Sequence, residues 1–240
     1  MATPNHWEHF KAGQKSRMIL AECPYCGSIA PHQHFDAIDV SVNPEMVRDI
    51  CIGKIWETEC TGCGNAFSFS HDFLYVNSES KIAVQLMNDA DEVIRSNQEP
   101  RRQVIERFIP DLAEQNYVFR IVPTFELFVD KIMILETGLD DRIMEIYKWG
   151  EIAMYYEDHP EAMEQGIQMI KFFVRTELNG GRFFVRVNDK FVKDEEFDRG
   201  LYDYLVSQYG DKLPAMTEEL PFVYFEDLCD RFSEQEDCAG

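Results

Sequence analysis

The feature that most constrains this chain is a pair of matching cysteine motifs within its first 64 residues. Cys23-Pro24-Tyr25-Cys26-Gly27 and Cys60-Thr61-Gly62-Cys63-Gly64 each place a glycine directly after a CxxC, and each follows a strand-like segment. Two thiolates at this spacing turn toward one metal ion, and the glycine lets backbone N–H groups face the sulfurs. We therefore predict two zinc knuckles that complete one tetrahedral site with the thiolates of Cys23, Cys26, Cys60 and Cys63.

Such a site is closed, because four protein ligands leave no coordination position for a substrate. Soft thiolates in a tetrahedral set select zinc or iron, so we expect Zn²⁺ as the cofactor, while ligand type alone leaves iron open. Thirty-three residues separate Cys26 from Cys60, more than a minimal zinc ribbon needs. We predict an inserted helix in this stretch, with Asn43 as N-cap, Pro44 at its first position and Gly53 after its end.

The tetrapeptide Cys-Pro-Tyr-Cys is also the redox site of glutaredoxins, which keeps a thiol–disulfide function as an alternative. That chemistry needs the first thiolate at a helix N-terminus, where the helix dipole lowers its pKa. The sequence after Cys26 is Gly-Ser-Ile-Ala-Pro, which is a poor helix start, and a second CxxC has no role in such a site. The motifs therefore favour structural metal binding over redox chemistry.

Other metal-ligating side chains lie near the motifs or far from them. Three histidines flank the motifs and could substitute as ligands, namely His32, His34 and His71. Because four cysteines already complete the set, we interpret these histidines as core or surface residues. Cys51 lies in an apolar run and is interpreted as a small buried hydrophobic residue, and Cys229 and Cys238 as free thiols.

No catalytic constellation stands out. Asp140-Asp141 and Glu195-Glu196 are adjacent acids of the kind that acid–base catalysis uses, but each pair stands at a predicted helix start. Carboxylates there accept hydrogen bonds from free amides and oppose the helix dipole, so we interpret both pairs as caps. The chain has no GxSxG, HExxH, P-loop or GxGxxG motif. We therefore expect no catalytic activity, and an enzyme site that assembles only in the folded chain stays open.

Charge excludes several function classes. The chain has 44 acidic and 23 basic side chains among 240 residues, a net charge of −21. Phosphate and anionic lipid repel such a surface, so we expect neither direct nucleic-acid binding nor membrane docking. The sequence contains no apolar run of membrane-spanning length, and its N-terminus has no apolar segment of signal-peptide length. These features predict a cytoplasmic protein.

The charge also changes along the chain. Residues 1–88 carry a net charge of −4 and residues 89–240 a net charge of −17. The change coincides with Asn88–Pro100, a polar stretch that ends in proline and is typical of a linker. We predict a zinc-ribbon-like module over 1–88 and an acidic α+β region over 89–240 that ends in an acidic tail.

Hydrophobic periodicity predicts an α+β fold in which a β module with an inserted helix precedes helices and an antiparallel β-hairpin. The predicted strands of the first region are Arg17–Glu22, Lys54–Glu59, Asn65–Ser70, Phe73–Asn77 and Lys81–Leu86. The predicted helices of the second region are Arg101–Asn116, Phe125–Glu136, Asp140–Glu157 and Glu195–Gln208. Within residues 170–187, two alternating runs flank an Asn-Gly turn and predict the hairpin.

The last 24 residues, 217–240, combine eight acids and one arginine with scattered apolar residues. We interpret them as a final helix docked on the body, with a frayed acidic end. The alternative is an acidic amphipathic segment that the groove of a partner accepts.

The order of the motifs resembles the bacterial CpXC domain family. The resemblance is carried by Cys23–Cys26, Asn43–Ile50, Cys60–Cys63 and Leu74–Asn77, continues through residues 119–145, and covers roughly residues 17–150. Thr61 stands where the family has a proline, which is not a ligand. The resemblance implies a zinc-binding module and supplies no reaction.

We therefore expect a non-enzymatic zinc-binding protein that acts as a protein-interaction or regulatory module. An acidic surface suits a basic protein partner. An alternative is a protein associated with nucleic-acid machinery, whose acidic half mimics phosphate and occupies a basic cleft. The sequence leaves the oligomeric state and the identity of the partner open.

Overall fold

Two units of mixed α and β structure make up the fold, Met1–Thr124 and Phe125–Gly240. The computed structural model describes residues 10–11, 13–69, 71–87, 109, 115–164, 167–175, 180–187, 190–213, 215–216 and 223. Both units combine helices with β-sheet, so the predicted α+β class is confirmed. Among the described residues, no helix combines the length and apolar character needed to cross a membrane.

The first unit is built on a mixed six-stranded sheet with the order β1-β2-β3-β6-β7-β8. These strands are β1 (Phe10–Lys11), β2 (Gln14–Glu22), β3 (Ile29–Asp39), β6 (Phe73–Asn77), β7 (Ile82–Leu86) and β8 (Val118–Val122). The pairs β3–β6 and β7–β8 are parallel, and the other neighbours are antiparallel. Between β3 and β6 the chain forms helix α1 (Met46–Cys51), a 3-10 turn (Lys54–Trp56) and the short hairpin of β4 (Glu57–Glu59) and β5 (Ala66–Ser68).

The core of this unit lies around β6 and β7. Both strands are almost continuously apolar, as expected of strands covered on both faces. The hydrophobic cluster at one face comprises Ala37, Leu74, Val76, Ala83, Ile109 and Tyr117. The hairpins β2–β3 and β4–β5 each carry one cysteine motif in their connecting turn.

The inserted helix differs in its start from the prediction. α1 begins at Met46 with Glu45 at the N-cap, so the prediction of Asn43 as the cap is wrong. Asn43 is buried, where its Oδ1 accepts a hydrogen bond from Gln14 Nε2 at 2.7 Å and its Nδ2 donates to the Asp39 carbonyl at 3.0 Å. A side chain committed to these partners cannot also cap a helix.

The second unit combines three helices with a three-stranded antiparallel sheet of order β11-β10-β9. Its helices are α2 (Phe125–Glu136), α3 (Asp141–Asp158) and α4 (Arg199–Tyr209), with 3-10 turns at Pro160–Glu164 and Gly210–Lys212. Its strands are β9 (Ile167–Arg175), β10 (Gly180–Val187) and β11 (Lys190–Glu196). The predicted hairpin is therefore confirmed as β9–β10 and is extended by a third strand. The buried core of this unit comprises Ile134, Leu139, Ile143, Met144, Tyr147, Phe183, Tyr202 and Leu213.

Several predicted segments lie outside the described residues. They include the linker Asn88–Pro100, nearly all of the predicted helix Arg101–Asn116, and the acidic tail apart from Val223. Val223 is buried, and its carbonyl accepts a hydrogen bond from Lys131 Nζ at 3.3 Å. The charge-based boundary at residue 88 stays a prediction; β8 lies beyond it in sequence and pairs with β7 in the first unit.

Candidate metal centre

The first cysteine motif forms a tight turn at the tip of the β2–β3 hairpin. The N–H of Gly27 donates to the Cys23 carbonyl at 2.9 Å, and the N–H of Cys23 donates to the Ser28 carbonyl at 2.9 Å. Gly27 has a φ of 70°, the left-handed conformation in which glycine meets no Cβ penalty. This backbone closes the turn so that both cysteine side chains leave it on one side.

The second motif repeats this geometry at the tip of the β4–β5 hairpin. Here the N–H of Gly64 donates to the Cys60 carbonyl at 2.8 Å, the N–H of Cys60 donates to the Asn65 carbonyl at 2.9 Å, and Gly64 has a φ of 75°. The N–H of Gly62 faces the Cys60 sulfur at 3.3 Å. Both turns therefore contain the left-handed glycine that the sequence predicts, and in the second turn an amide is directed at a cysteine sulfur.

The fold brings the four cysteine sulfurs together from the two hairpins. All four Sγ atoms, those of Cys23, Cys26, Cys60 and Cys63, lie within 4.8 Å of one another. Two pairs across the knuckles lie 3.8 Å apart (Cys23 and Cys63) and 3.6 Å apart (Cys26 and Cys60). The first cysteine of each motif is buried and the second is exposed.

The spacing of the sulfurs fits one tetrahedral metal ion. Zn–S bonds of about 2.3 Å in a tetrahedral site place neighbouring sulfurs about 3.8 Å apart. The cross-knuckle distances of 3.6 and 3.8 Å match this value, and four thiols are a donor set suited to a soft or borderline metal ion. The cluster could therefore hold a metal ion.

Proton affinities in the cluster show that the thiols influence one another. The hydroxyl and the backbone of Ser28 lower the pKa of Cys26 to about 6. Amide N–H groups of the turn, at Cys63 and Gly62, lower the pKa of Cys60. The backbone of Asn65 favours the Cys63 thiolate, but desolvation and the other three thiols raise its pKa to about 11. Four thiolates in so small a volume repel one another, and a bound cation would offset that repulsion.

The flanking histidines contact other aromatic rings and are not part of the sulfur cluster. Within the described residues, the four cysteines are the group whose ligand atoms converge as a metal site requires. Rings from both hairpins meet in what we call the stem cluster, which comprises His32, His34, Phe69 and His71. His32 and His34 are buried, in agreement with their interpretation as core residues. Strand β3, on which the alternation His-Gln-His places His32 and His34 on one face, was not predicted from the sequence.

The other candidate site residues do not belong to the cysteine cluster. Asp140 caps α3, accepting from the N–H of Arg142 at 3.0 Å, as predicted. The prediction for Glu195-Glu196 is wrong, since both residues end β11 and Asp198 caps the helix that follows. Cys51 is half-buried in α1, whereas Cys229 and Cys238 lie outside the described residues.

Comparison with known proteins gives one match. No curated protein and no solved structure matches the chain. A family model described as CpXC protein matches residues 21–148, more than half of the 240 residues, and that stretch contains all four clustered cysteines. The match and the paired knuckles agree with the resemblance noted in the sequence, and the chain belongs to the CpXC protein family.

Proposed function

We propose that Cys23, Cys26, Cys60 and Cys63 bind one Zn²⁺ ion as a closed structural site, and that the protein is a non-enzymatic interaction or regulatory module. The observation that carries the proposal is the convergence of four thiols, from two turns of the same geometry, within 4.8 Å. Two knuckles that supply two thiolates each are the usual architecture of structural zinc sites. Because such a site is saturated by protein ligands, its contribution is to hold two hairpins together.

Metal analysis tests the site directly. Protein purified without added metal should contain one zinc per chain, and Cys60→Ser should abolish zinc binding because Cys60 supplies a buried sulfur. Cys51→Ser is the matched control, since that cysteine lies in α1 and outside the cluster, and it should retain zinc. Bound iron in place of zinc, or full zinc occupancy in Cys60→Ser, would overturn the proposal.

A structural role predicts that metal removal costs folding. Chelation should reduce the β-sheet circular dichroism and the urea midpoint of the wild type, because metal-binding free energy becomes folding free energy. Retention of both signals after complete zinc removal would argue that the ion has another role. Cys60→Ser should resemble the chelated wild type in both measurements.

The interaction role is supported by an exposed apolar surface on the first metal hairpin. Four large side chains in and around its turn are 64–76% exposed, namely Met18, Leu20, Tyr25 and Ile29. The register pairs Leu20 with Pro31 and Glu22 with Ile29, so the exposed residues of both strands share one face. Contiguous exposed apolar side chains of this kind are typical of protein-binding surfaces.

Differential capture tests this surface. We expect the wild type, cross-linked in native extract, to capture specific proteins that Leu20→Glu fails to capture. Val42→Glu is the control, because Val42 is an exposed apolar residue that lies outside the hairpin. Identical protein profiles for the wild type and Leu20→Glu would overturn the assignment of this surface.

One observation favours a second candidate, a thiol–disulfide function. Cys26 is exposed, and the adjacent Ser28 lowers its pKa to about 6, which makes its thiolate available at neutral pH. Against it, both CxxC motifs occupy knuckle turns and neither begins a helix. Reduction of a model disulfide by the zinc-free protein, with loss of activity in Cys26→Ser, would establish this function. Inactivity of the zinc-free wild type would exclude it.

A further inference from the structure

The stem cluster joins the two hairpins that carry the cysteines. His32 and His34 belong to β3, on the first hairpin, whereas Phe69 and His71 lie in the connection that leaves β5, the last strand of the second hairpin. The His34 and His71 rings stack with centroids 3.6 Å apart and planes 27° apart. The rings of His32 and Phe69 pack edge to face, with centroids 4.4 Å apart. The relative position of the two knuckles therefore depends on these ring contacts.

The histidines of this joint are poorly equipped to carry charge. His32 Nε2 and His34 Nδ1 are buried and have no hydrogen-bond partner among the described residues, so a proton added there would lack an acceptor. The N–H at Nε2 of His71 donates to the Phe35 carbonyl at 2.8 Å, which leaves its other nitrogen to titrate. Burial lowers the pKa of both His32 and His71, and the neighbouring His34 adds to the effect.

The charged groups that face the joint can offset one positive charge at most. From β3, Asp36 Oδ1 lies 3.4 Å from His34 Nε2, but the same oxygen lies 3.5 Å from the Arg17 guanidinium of β2. Lys15 of β2 acts on Asp36 with the same sign as Arg17. The 3-10 turn contributes Trp56, an uncharged ring 6.0 Å from His71, and the link to β6 contributes Asp72, which is exposed.

We propose that the stem cluster is a proton-sensitive joint: when His71, which stacks on His34, becomes protonated, the added positive charge parts the two hairpins and the metal ion is released from the four cysteines. The inference rests on the proposed metal binding. It assigns regulation to a site that lies at least six residues in sequence from each of those cysteines. Metal release would then follow the protonation of imidazoles as well as that of thiols.

The test compares zinc affinity of the full chain at about pH 7.5 and about pH 5.5, the range in which histidine titrates. His71→Gln keeps an amide donor for the Phe35 carbonyl but cannot become charged. Its zinc affinity should equal that of the wild type at the higher pH and exceed it at least about fivefold at the lower pH, the lower end of typical site–site coupling. The control His159→Gln removes a half-exposed histidine of the second unit and should behave as the wild type.

Equal zinc affinities of the wild type and His71→Gln at the lower pH would overturn the proposed role of the joint, since thiol protonation alone would then drive metal release. Absence of zinc binding at the higher pH would instead overturn the proposed function. If His71→Gln is misfolded, the wild-type histidines can be tested in a Trp7→Phe/Trp149→Phe background, in which Trp56 alone reports on the joint. The pH midpoint of the transition that Trp56 reports should move to lower pH when zinc is present, because the coupling between protons and zinc is reciprocal. A midpoint that zinc does not move would overturn the proposal.

Discussion

Gly62 marks the closest approach between the two knuckles. A Cβ at this position would lie 2.3 Å from Ser28 Oγ, 3.0 Å from Ser28 Cβ and 3.6 Å from the Cys26 sulfur. The 2.3 Å contact requires the Ser28 hydroxyl to rotate away or one of the two turns to move. The distance between the knuckles therefore depends on two small residues, neither of which is a ligand.

We predict that Gly62→Ala weakens zinc binding by about 1–3 kcal/mol, the usual cost of overpacking a well-fitted contact. The added methyl group pushes Ser28 away and separates the sulfurs. Zinc competition with a chromophoric chelator measures the change. In the double variant Gly62→Ala/Ser28→Gly the obstructing atoms are gone, so most of the affinity should return. Ser28→Gly alone completes the cycle, and additive effects of the two substitutions would contradict the steric explanation.

The sequence allowed the cluster to be predicted because ligand spacing is local. Each CxxC-Gly turn specifies its own backbone, and the only tertiary assumption was that the two turns meet. The stem cluster was not predicted, because His34 and His71 are far apart in sequence and become neighbours only through hairpin packing. Glu195 was misassigned because a local pattern was misleading. Acids often precede helices, but here β11 extends through Glu196 and Asp198 supplies the cap.

Two helices of the second unit begin with the same device. Asp198 accepts hydrogen bonds from the N–H groups of Gly200 and Leu201 at the start of α4. Asp140 accepts one from the N–H of Arg142 at the start of α3, and its carboxylate also pairs with the Arg142 guanidinium at 2.5 Å. Asp198 thus acts as a cap, whereas Asp140 is both a cap and the partner of a buried cation.

Substitution by asparagine separates these roles. Alanine at either position should lower the free energy of unfolding by about 1 kcal/mol for the lost cap. Asparagine caps about as well as aspartate, so Asp198→Asn should be close to neutral. Asp140→Asn should remain destabilised because it leaves the buried Arg142 guanidinium without its charged partner. Urea unfolding of the four variants checks this, and equal stabilities of the two asparagine variants would contradict the distinction.

Elements with a clear hydrophobic pattern were predicted accurately, and elements with an irregular pattern were not. The bounds of α2 and β6 agree with the prediction, because α2 has apolar residues at helical spacing and β6 is almost continuously apolar. β3 was missed, since Pro31 and the polar run around it argue against a strand. The structure tolerates this proline because β6 pairs with β3 only at Ala37–Asp39, so Pro31 lies where β3 has one hydrogen-bonded neighbour, β2.

At the scale of the whole molecule, the acidic second unit also buries a network of opposite charges. Lys148 Nζ donates to Asp130 and, at 3.0 Å, to Glu145. Lys131 Nζ lies 3.2 Å from Glu145 and 3.3 Å from Asp141. Desolvation opposes the charge on Lys148, but Asp130 and Glu145 raise its pKa above the ordinary lysine value. The network thus joins α2 to α3 through groups that depend on one another.

Removal of one cation should be costly. Lys148→Met leaves Asp130 and Glu145 buried without this partner, so we predict a loss of about 3–5 kcal/mol in unfolding free energy. Lys54→Met is the control, because Lys54 is exposed and pairs with Asp49 at the surface, where such pairs contribute about 0–1 kcal/mol. Chemical unfolding measures both. The cost of Lys148→Met should shrink in acid as the carboxylates become neutral, and a pH-independent cost would point to lost packing instead.

The two units differ in the groups that govern their response to acid. In the first, burial lowers the pKa of His32 and His71, so the unfolded chain binds more protons than the folded one. Stability is therefore lost as the pH falls below the unfolded histidine value of about 6.5. In the second, burial opposes ionisation of Glu145, but Lys148 and Lys131 lower its pKa. That contribution persists until the pH falls to the unfolded glutamate value of about 4.3.

Urea midpoints at about pH 7 and about pH 5.5 should separate these responses, since histidines change charge in this interval and carboxylates do not. Trp56 reports on the first unit and Trp149 on the second, each measured with the other tryptophans replaced by phenylalanine and with chelator present. We predict that the Trp56 midpoint falls with acidification while the Trp149 midpoint holds, and that His71→Gln reduces the fall. An equal fall of both midpoints would contradict this assignment, because Glu145 stays ionised throughout the interval.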